Sequence, residues 1–122
     1  MAKKVLVVDD YDDSRSMLVR FLGAVGYETV EAASGAEAVQ KALSEKLNII
    51  IMDLRLPEMT GIDAARELKQ HPTTAHVPII AYSALPSRQF KERALQAGMV
   101  EFLVKPVSPE VIQEAIEKYI LP

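Results

Sequence analysis

The chain has 122 residues, 49% of them hydrophobic and 25% charged, which suits one ordinary domain with a real core and is too apolar for a disordered chain. A formal charge of -3 gives no electrostatic case for direct nucleic-acid binding, and the absence of cysteine excludes disulfides and thiolate metal sites. No apolar run approaches the roughly 20 residues that span a bilayer, and the short run after Lys4 is too brief for the core of a signal peptide, so a cytoplasmic protein with no membrane insertion is expected.

Val5-Leu6-Val7-Val8 is a short β-branched run and reads as a strand buried on both faces. It ends in Asp9-Asp10, with Asp12 and Asp13 close behind. A first helix is expected from about Ser14 to Leu22, with Leu18, Phe21, Leu22 and Val25 on one apolar face and Gly23 and Gly26 ending it. Residues 27–32 form a second, more polar strand that fits an edge. Ser34-Gly35-Ala36-Glu37 has the capping-box pattern, and a second helix follows to about Glu45 with Val39, Ala42 and Leu43 inward.

A third strand is expected over residues 48–53, where an apolar run stops abruptly at the carboxylate of Asp53. Thr60 caps a third helix, whose sheet-facing residues are Ile62, Ala65 and Leu68, and His71-Pro72 stops it. Residues 77–82 form a fourth strand ending in Ser83-Ala84. A fourth helix runs from about Ser87 to Ala97, with Gly98 just beyond it. Residues 100–104 form a fifth strand, followed by Lys105-Pro106. Ser108-Pro109-Glu110 opens a fifth helix with a cap, a proline at the first helical position and an acid at the positive dipole end. Val111, Ile112, Ala115, Ile116, Tyr119 and Ile120 are expected to face inward.

Five strands alternating with five helices predict an α/β fold, a doubly wound five-stranded parallel sheet with helices on both faces. The whole of 1–122 reads as one domain with no output domain attached. Parallel strands bring their carboxyl ends to one edge, the edge at which open α/β sheets bind ligands. That edge collects Asp9, Asp10, Asp53, Ser83 and Lys105. Each has an ordinary reading: Asp53, Asp9 and Asp10 as turn or helix caps, Ser83 as a turn serine, Lys105 as a solvated strand end. Their conjunction points elsewhere. Three carboxylates in one pocket repel, and one must take up a proton unless a cation joins them. Oxygen ligands with water access suit Mg²⁺ or Mn²⁺. A pocket of acids, one hydroxyl and one lysine fits phosphoryl transfer, which needs positioning and charge neutralisation. Asp53 is the candidate nucleophile. Asp10, Asp53 and a backbone carbonyl just past Asp53 are the candidate metal ligands, with Asp9 helping through water. Lys105 and Ser83 are candidates to contact the phosphoryl oxygens.

Val-Val-Asp9-Asp10, Met-Asp53-Leu-x-x-Pro57-x-Met59-x-Gly61, Ser83-Ala84 and Val104-Lys105-Pro106 together resemble the receiver domain of two-component response regulators, in the single-domain, chemotaxis-regulator-like form. The four motifs occur in order over essentially the whole chain. The resemblance implies the flavodoxin-like sheet order 2-1-3-4-5, and a phosphohistidine donor on a sensor histidine kinase or histidine phosphotransfer protein. It implies Asp53 as phosphoacceptor, Asp9 and Asp10 as the acidic pair, the Arg55 backbone carbonyl as a metal ligand and Lys105 as the lysine. Ser83 takes the switch hydroxyl position, Phe102 the aromatic switch position, and Pro106 follows a cis bond. The signal would then leave by a packing change on the face of helix 4, strand 5 and helix 5, toward a downstream protein target. The family is not a turnover enzyme; it catalyses only its own phosphorylation and dephosphorylation.

Two departures bear on phosphate lifetime: Arg55, two residues past the acceptor, and Leu85, two past the hydroxyl, where both would flank attacking water. His71 and His76 are expected at the surface, and neither is assigned to a metal. A phosphate-independent pseudo-receiver that only binds partners is the main alternative, against which the complete set of acids, hydroxyl and lysine stands. A Mg²⁺-dependent aspartate-nucleophile phosphatase needs a second acid two residues past the nucleophile, where this chain has Arg55. A dinucleotide enzyme needs a Gly-x-Gly-x-x-Gly turn after the first strand, and a flavin-binding fold needs a hydroxyl-rich loop there; the chain has neither.

Overall fold

In the computed structural model, which describes residues 2–84 and 88–120, strands and helices alternate throughout. The strands are β1 (Lys4–Val8), β2 (Glu28–Ala32), β3 (Ile49–Asp53), β4 (Ile79–Ser83) and β5 (Glu101–Val104). The helices are α1 (Asp12–Ala24), α2 (Gly35–Ser44), α3 (Gly61–Gln70), α4 (Arg88–Gln96) and α5 (Pro109–Tyr119). All strand pairs are parallel and the order is β2-β1-β3-β4-β5, the expected arrangement.

The pleat sorts each strand's side chains onto two faces. Val5, Val7, Ile49, Ile51, Ile80 and Tyr82 pack with Leu18 and Leu22 of α1 and Ile112 and Ile116 of α5. Leu6, Val8, Ile50, Met52, Ile79 and Ala81 pack instead with α2, α3 and α4. The central strand β3 is buried along its whole length. At about 1.5–3 kcal/mol for each large aliphatic side chain taken out of water, this strand holds Asp53 firmly at its carboxyl end.

Local signals set most boundaries. The side chains of Ser34, Thr60 and Ser108 accept from the backbone N–H three residues on, at Glu37, Asp63 and Val111. Glu37 completes its box by accepting from Ala33 N at 2.7 Å. Gly26 and Gly98 have φ of 104° and 96° and close α1 and α4. After α1, the Gly26 N–H reaches Gly23 O and the Tyr27 N–H reaches Leu22 O, a Schellman closure.

Four expectations need correction. Helix α1 begins at Asp12, two residues early, because Asp12 and Asp13 suit the positive end of the helix dipole. Gly23 lies inside α1, and Gly26 alone takes the left-handed turn that stops it. Val25, at the end of α1, is exposed because the chain has already left the sheet there. Leu43 and Val111 are exposed too, since they lie beyond the stripes of α2 and α5 that the sheet covers. The expected start of α4 at Ser87, and Leu85, lie outside the described residues.

Candidate functional site

The carboxyl ends of β1, β3, β4 and β5 meet at one edge, and the expected residues arrive together there. Asp9 follows β1 and is fully buried; Asp53 ends β3 and is 5% exposed; Ser83 ends β4 and is fully buried. Asp10 is exposed beside them, and Lys105 follows β5. One carboxylate oxygen from each of Asp9, Asp10 and Asp53 falls within 4.8 Å of the others.

Lys105 sits between two of the acids. Its Nζ donates to Asp53 Oδ2 at 2.9 Å and to Asp9 Oδ2 at 3.3 Å. The same ammonium stands 4.4 Å from the centre of the Tyr82 ring. Burial lowers the lysine's proton affinity, but contact with Asp53 and Asp9 outweighs it, and the amine is held above its ordinary value. The two acids move in opposite directions. Burial raises Asp53, aided by the charge of Asp9, and the hydrogen bonds from Lys105 and the Arg55 N–H do not fully offset this. Burial also acts to raise Asp9, but its donors win and Asp9 lies below its ordinary value. Those donors are Ser14 Oγ at 2.5 Å, Tyr82 Oη at 2.6 Å, the Tyr11 N–H at 3.0 Å and Lys105.

Three residues of this network escaped sequence reasoning. The sequence places Ser14 at a helix start, yet its hydroxyl is spent on Asp9. Arg15 donates from Nη1 to Asp9 O at 2.6 Å while also pairing with Asp12 and Glu31, tying α1 to the end of β1. The sequence marks Tyr82 only as the end of a strand. Its signal is parity: it is the register partner of Asp53 on the neighbouring strand, so both side chains face the same side of the sheet.

The loop after Asp53 is shaped by Gly61. A Cβ built there would lie 2.3 Å from Asp53 O and 2.9 Å from Leu54 Cα, while the Gly61 N–H donates to Leu54 O at 3.1 Å. We expect Gly61→Ala to cost about 1–3 kcal/mol, since backbone rather than a side-chain tip must move. Urea denaturation checks this; an unchanged midpoint would show that the loop yields freely. Arg55 itself is exposed, the Lys105-Pro106 bond is cis, and Phe102 is half-buried against the α2–α3–α4 layer. His71 is partly exposed and His76 exposed. Among the described residues no helix is long and apolar enough to cross a membrane.

Residues 5–117 match the family model described as "Response regulator receiver domain". The chain is 40% identical over 119 residues to the chemotaxis protein CheY of Thermotoga maritima, covering 97% of this chain and 98% of that protein. It is 32% identical over 120 residues to the polar-differentiation response regulator DivK of Brucella ovis, covering 98% of each. Among solved structures it resembles the chemotaxis protein CheY4 of Vibrio cholerae, with TM-score 0.93, 31% identity, and coverage of 98% of this chain and 99% of that one. It also resembles the receiver domain of the sensor histidine kinase PA1611 of Pseudomonas aeruginosa, with TM-score 0.91, 32% identity and 98% of each chain covered. That structure has a magnesium ion coordinated in its active-site cleft.

Proposed function

The chain belongs to the response regulator receiver family, and on that premise we propose that it takes a phosphoryl group from a phosphohistidine donor onto Asp53 and signals by a change of shape. The donor is a sensor histidine kinase or a histidine phosphotransfer protein, and the signal passes to a downstream protein target. The observation that carries this reading is the bridge of Lys105 across Asp53 and Asp9, with Asp10 alongside. A lone buried acid could be a cap; three acids gathered round one strand-end carboxylate, two of them bridged by one lysine, need a reason.

The donor set fits a hard divalent cation. It offers three carboxylates within reach of one another, no sulfur ligand and one member exposed to solvent. Asp10, Asp53 and the Arg55 carbonyl would hold Mg²⁺ or Mn²⁺, with Asp9 acting through water. When bound, the ion neutralises charge on the phosphoryl oxygens. The rest falls to the chain. An Asp53 oxygen forms the new bond to phosphorus as the phosphorus–nitrogen bond to histidine breaks, and the imidazole leaves with the bonding pair and then gains a proton. Lys105 is already aimed at Asp53 Oδ2 and follows the charge onto the phosphoryl oxygens. Ser83 supplies a hydroxyl to another of them.

Phosphorylation adds charge and acceptor oxygens at the end of β3. Ser83 and Phe102 lie on the same face of the sheet, as their register through Ala81 and Val104 requires. A shift of Ser83 toward the phosphoryl group makes room for Phe102 on the α4–β5–α5 surface. Phe102→Ala is expected to keep phosphorylation within about twofold while phosphate no longer changes affinity for the downstream target. A normal phosphate-dependent gain in that variant would remove Phe102 from the relay.

The direct test is incubation with acetyl phosphate and Mg²⁺, followed by mass spectrometry of the proteolysed chain. One phosphoryl group on the peptide carrying Asp53 is expected. No incorporation, or incorporation on another residue, would overturn the proposed function.

A further inference from the structure

Tyr82 is a buried phenol that follows the aliphatic Ile79, Ile80 and Ala81 in β4. Ile80, two residues earlier, packs into the same core layer with no polar group. A buried hydroxyl costs free energy unless it is hydrogen-bonded. Tyr82 Oη has one described partner, Asp9 Oδ2, at 2.6 Å. The body of the ring lies beneath the Lys105 ammonium. One side chain therefore touches both the acid and the lysine that flank the candidate acceptor.

Acceptor capacity gives this contact its meaning. A carboxylate offers about four lone-pair positions, two on each oxygen. Oδ2 of Asp9 already meets Tyr82 Oη, Ser14 Oγ and Lys105 Nζ. Oδ1 accepts from the Tyr11 N–H at 3.0 Å and keeps room for one more partner. The hydroxyls thus fill one oxygen and fix the plane of the carboxylate, leaving the other oxygen available.

We propose that Tyr82 is a positioning residue for the divalent-cation site: its hydroxyl locks Asp9 through Oδ2 so that Asp9 presents Oδ1 to the ion's bound water. This rests on the receiver reading above, and goes beyond it by assigning a role to a residue outside the acids, hydroxyl and lysine. Partners of a metal's direct ligands are worth about 10–100-fold in metal affinity, and a partner of an acid that acts through water is expected at the low end of that range.

Calorimetric titration of the full chain with MgCl₂ tests it, comparing wild type, Tyr82→Phe, Asp9→Asn and the double variant. Phenylalanine keeps the ring under Lys105 and removes only the hydroxyl. The expected result is a dissociation constant raised about tenfold in Tyr82→Phe, with less than about twofold further change when the same substitution is made in Asp9→Asn. Wild-type affinity in Tyr82→Phe would overturn the proposal, as would a full tenfold loss repeated in the Asp9→Asn background, which would mean the hydroxyl acts through general packing. Complete loss of binding in Asp9→Asn would make Asp9 a direct ligand and also overturn it. A wild-type chain that binds no Mg²⁺ would instead bring down the proposed function, and this inference with it.

Discussion

Asp53→Asn is expected to abolish phosphoryl uptake from acetyl phosphate and to make the metal-free protein more stable at neutral pH. The first effect follows from chemistry, since the amide oxygen is a poor nucleophile and the amide cannot carry the acyl phosphate. The second follows from burial. Asp53 is pushed above its ordinary value of 3.8 by desolvation and by Asp9. A group raised in the folded state contributes stability below its unfolded value and loses it as pH rises through its folded value. At neutral pH the ionised carboxylate is therefore a net cost, which asparagine escapes while still accepting from the Arg55 N–H. The two proteins should melt together below pH 3.8 and diverge above it, the variant being the more stable. Mg²⁺ should close the gap, because a ligand at a hundredfold its dissociation constant stabilises the native state by about 2.7 kcal/mol, and the variant binds it less well. Phosphate retained by the variant, or a variant less stable at neutral pH, would contradict this account.

Lys105→Met is expected to slow phosphoryl uptake by about 10²–10³-fold at saturating Mg²⁺, the usual effect of removing one preorganised donor from developing charge. Methionine keeps the aliphatic bulk over the Tyr82 ring and deletes the ammonium. Asp53 Oδ2 loses its contact at 2.9 Å and Asp9 Oδ2 its contact at 3.3 Å. The pH dependence of stability has a definite sign. Without the ammonium, Asp53 rises further above 3.8 and Asp9 is held down less firmly. Both changes penalise the folded state when the acids are ionised. The stability deficit of the variant should open as pH rises through the carboxylate range and shrink on acidification. Single-turnover uptake at saturating Mg²⁺ separates this from a metal effect; a rate within threefold of wild type would deny Lys105 a role at the phosphoryl group.

These two variants differ from Tyr82→Phe in a useful way. On the proposed function Asp53 and Lys105 act on the phosphoryl group itself, so extra Mg²⁺ is not expected to rescue either variant. The role proposed for Tyr82 runs through Asp9, to which its hydroxyl donates, so its loss is expected in the affinity for the ion.

Much of this architecture follows from local signals. Val5–Val8 and Ile49–Met52 are too apolar to sit anywhere but between two helical layers, and the capping residues Ser34, Thr60 and Ser108 open helices by bonding within their own first turn. Once the strands are parallel, their carboxyl ends share one edge. That is why the sequence alone groups Asp9, Asp10, Asp53, Ser83 and Lys105.

The tertiary structure decided what depends on contacts between distant elements. Leu43 and Val111 fit their helical patterns yet face solvent, because the width of the covered stripe is set by where the sheet lies beneath each helix. The opposite shifts of Asp9 and Asp53 could not be read from two identical side chains at two strand ends; they come from the donors that packing delivers to one and withholds from the other. Tyr82 lies 73 positions from Asp9 in the chain, and only the pairing of β1, β3 and β4 places its hydroxyl on that carboxylate. Residue type and strand order are properties of the sequence, whereas which lone pair meets which donor is settled by how the two helical layers close over the sheet.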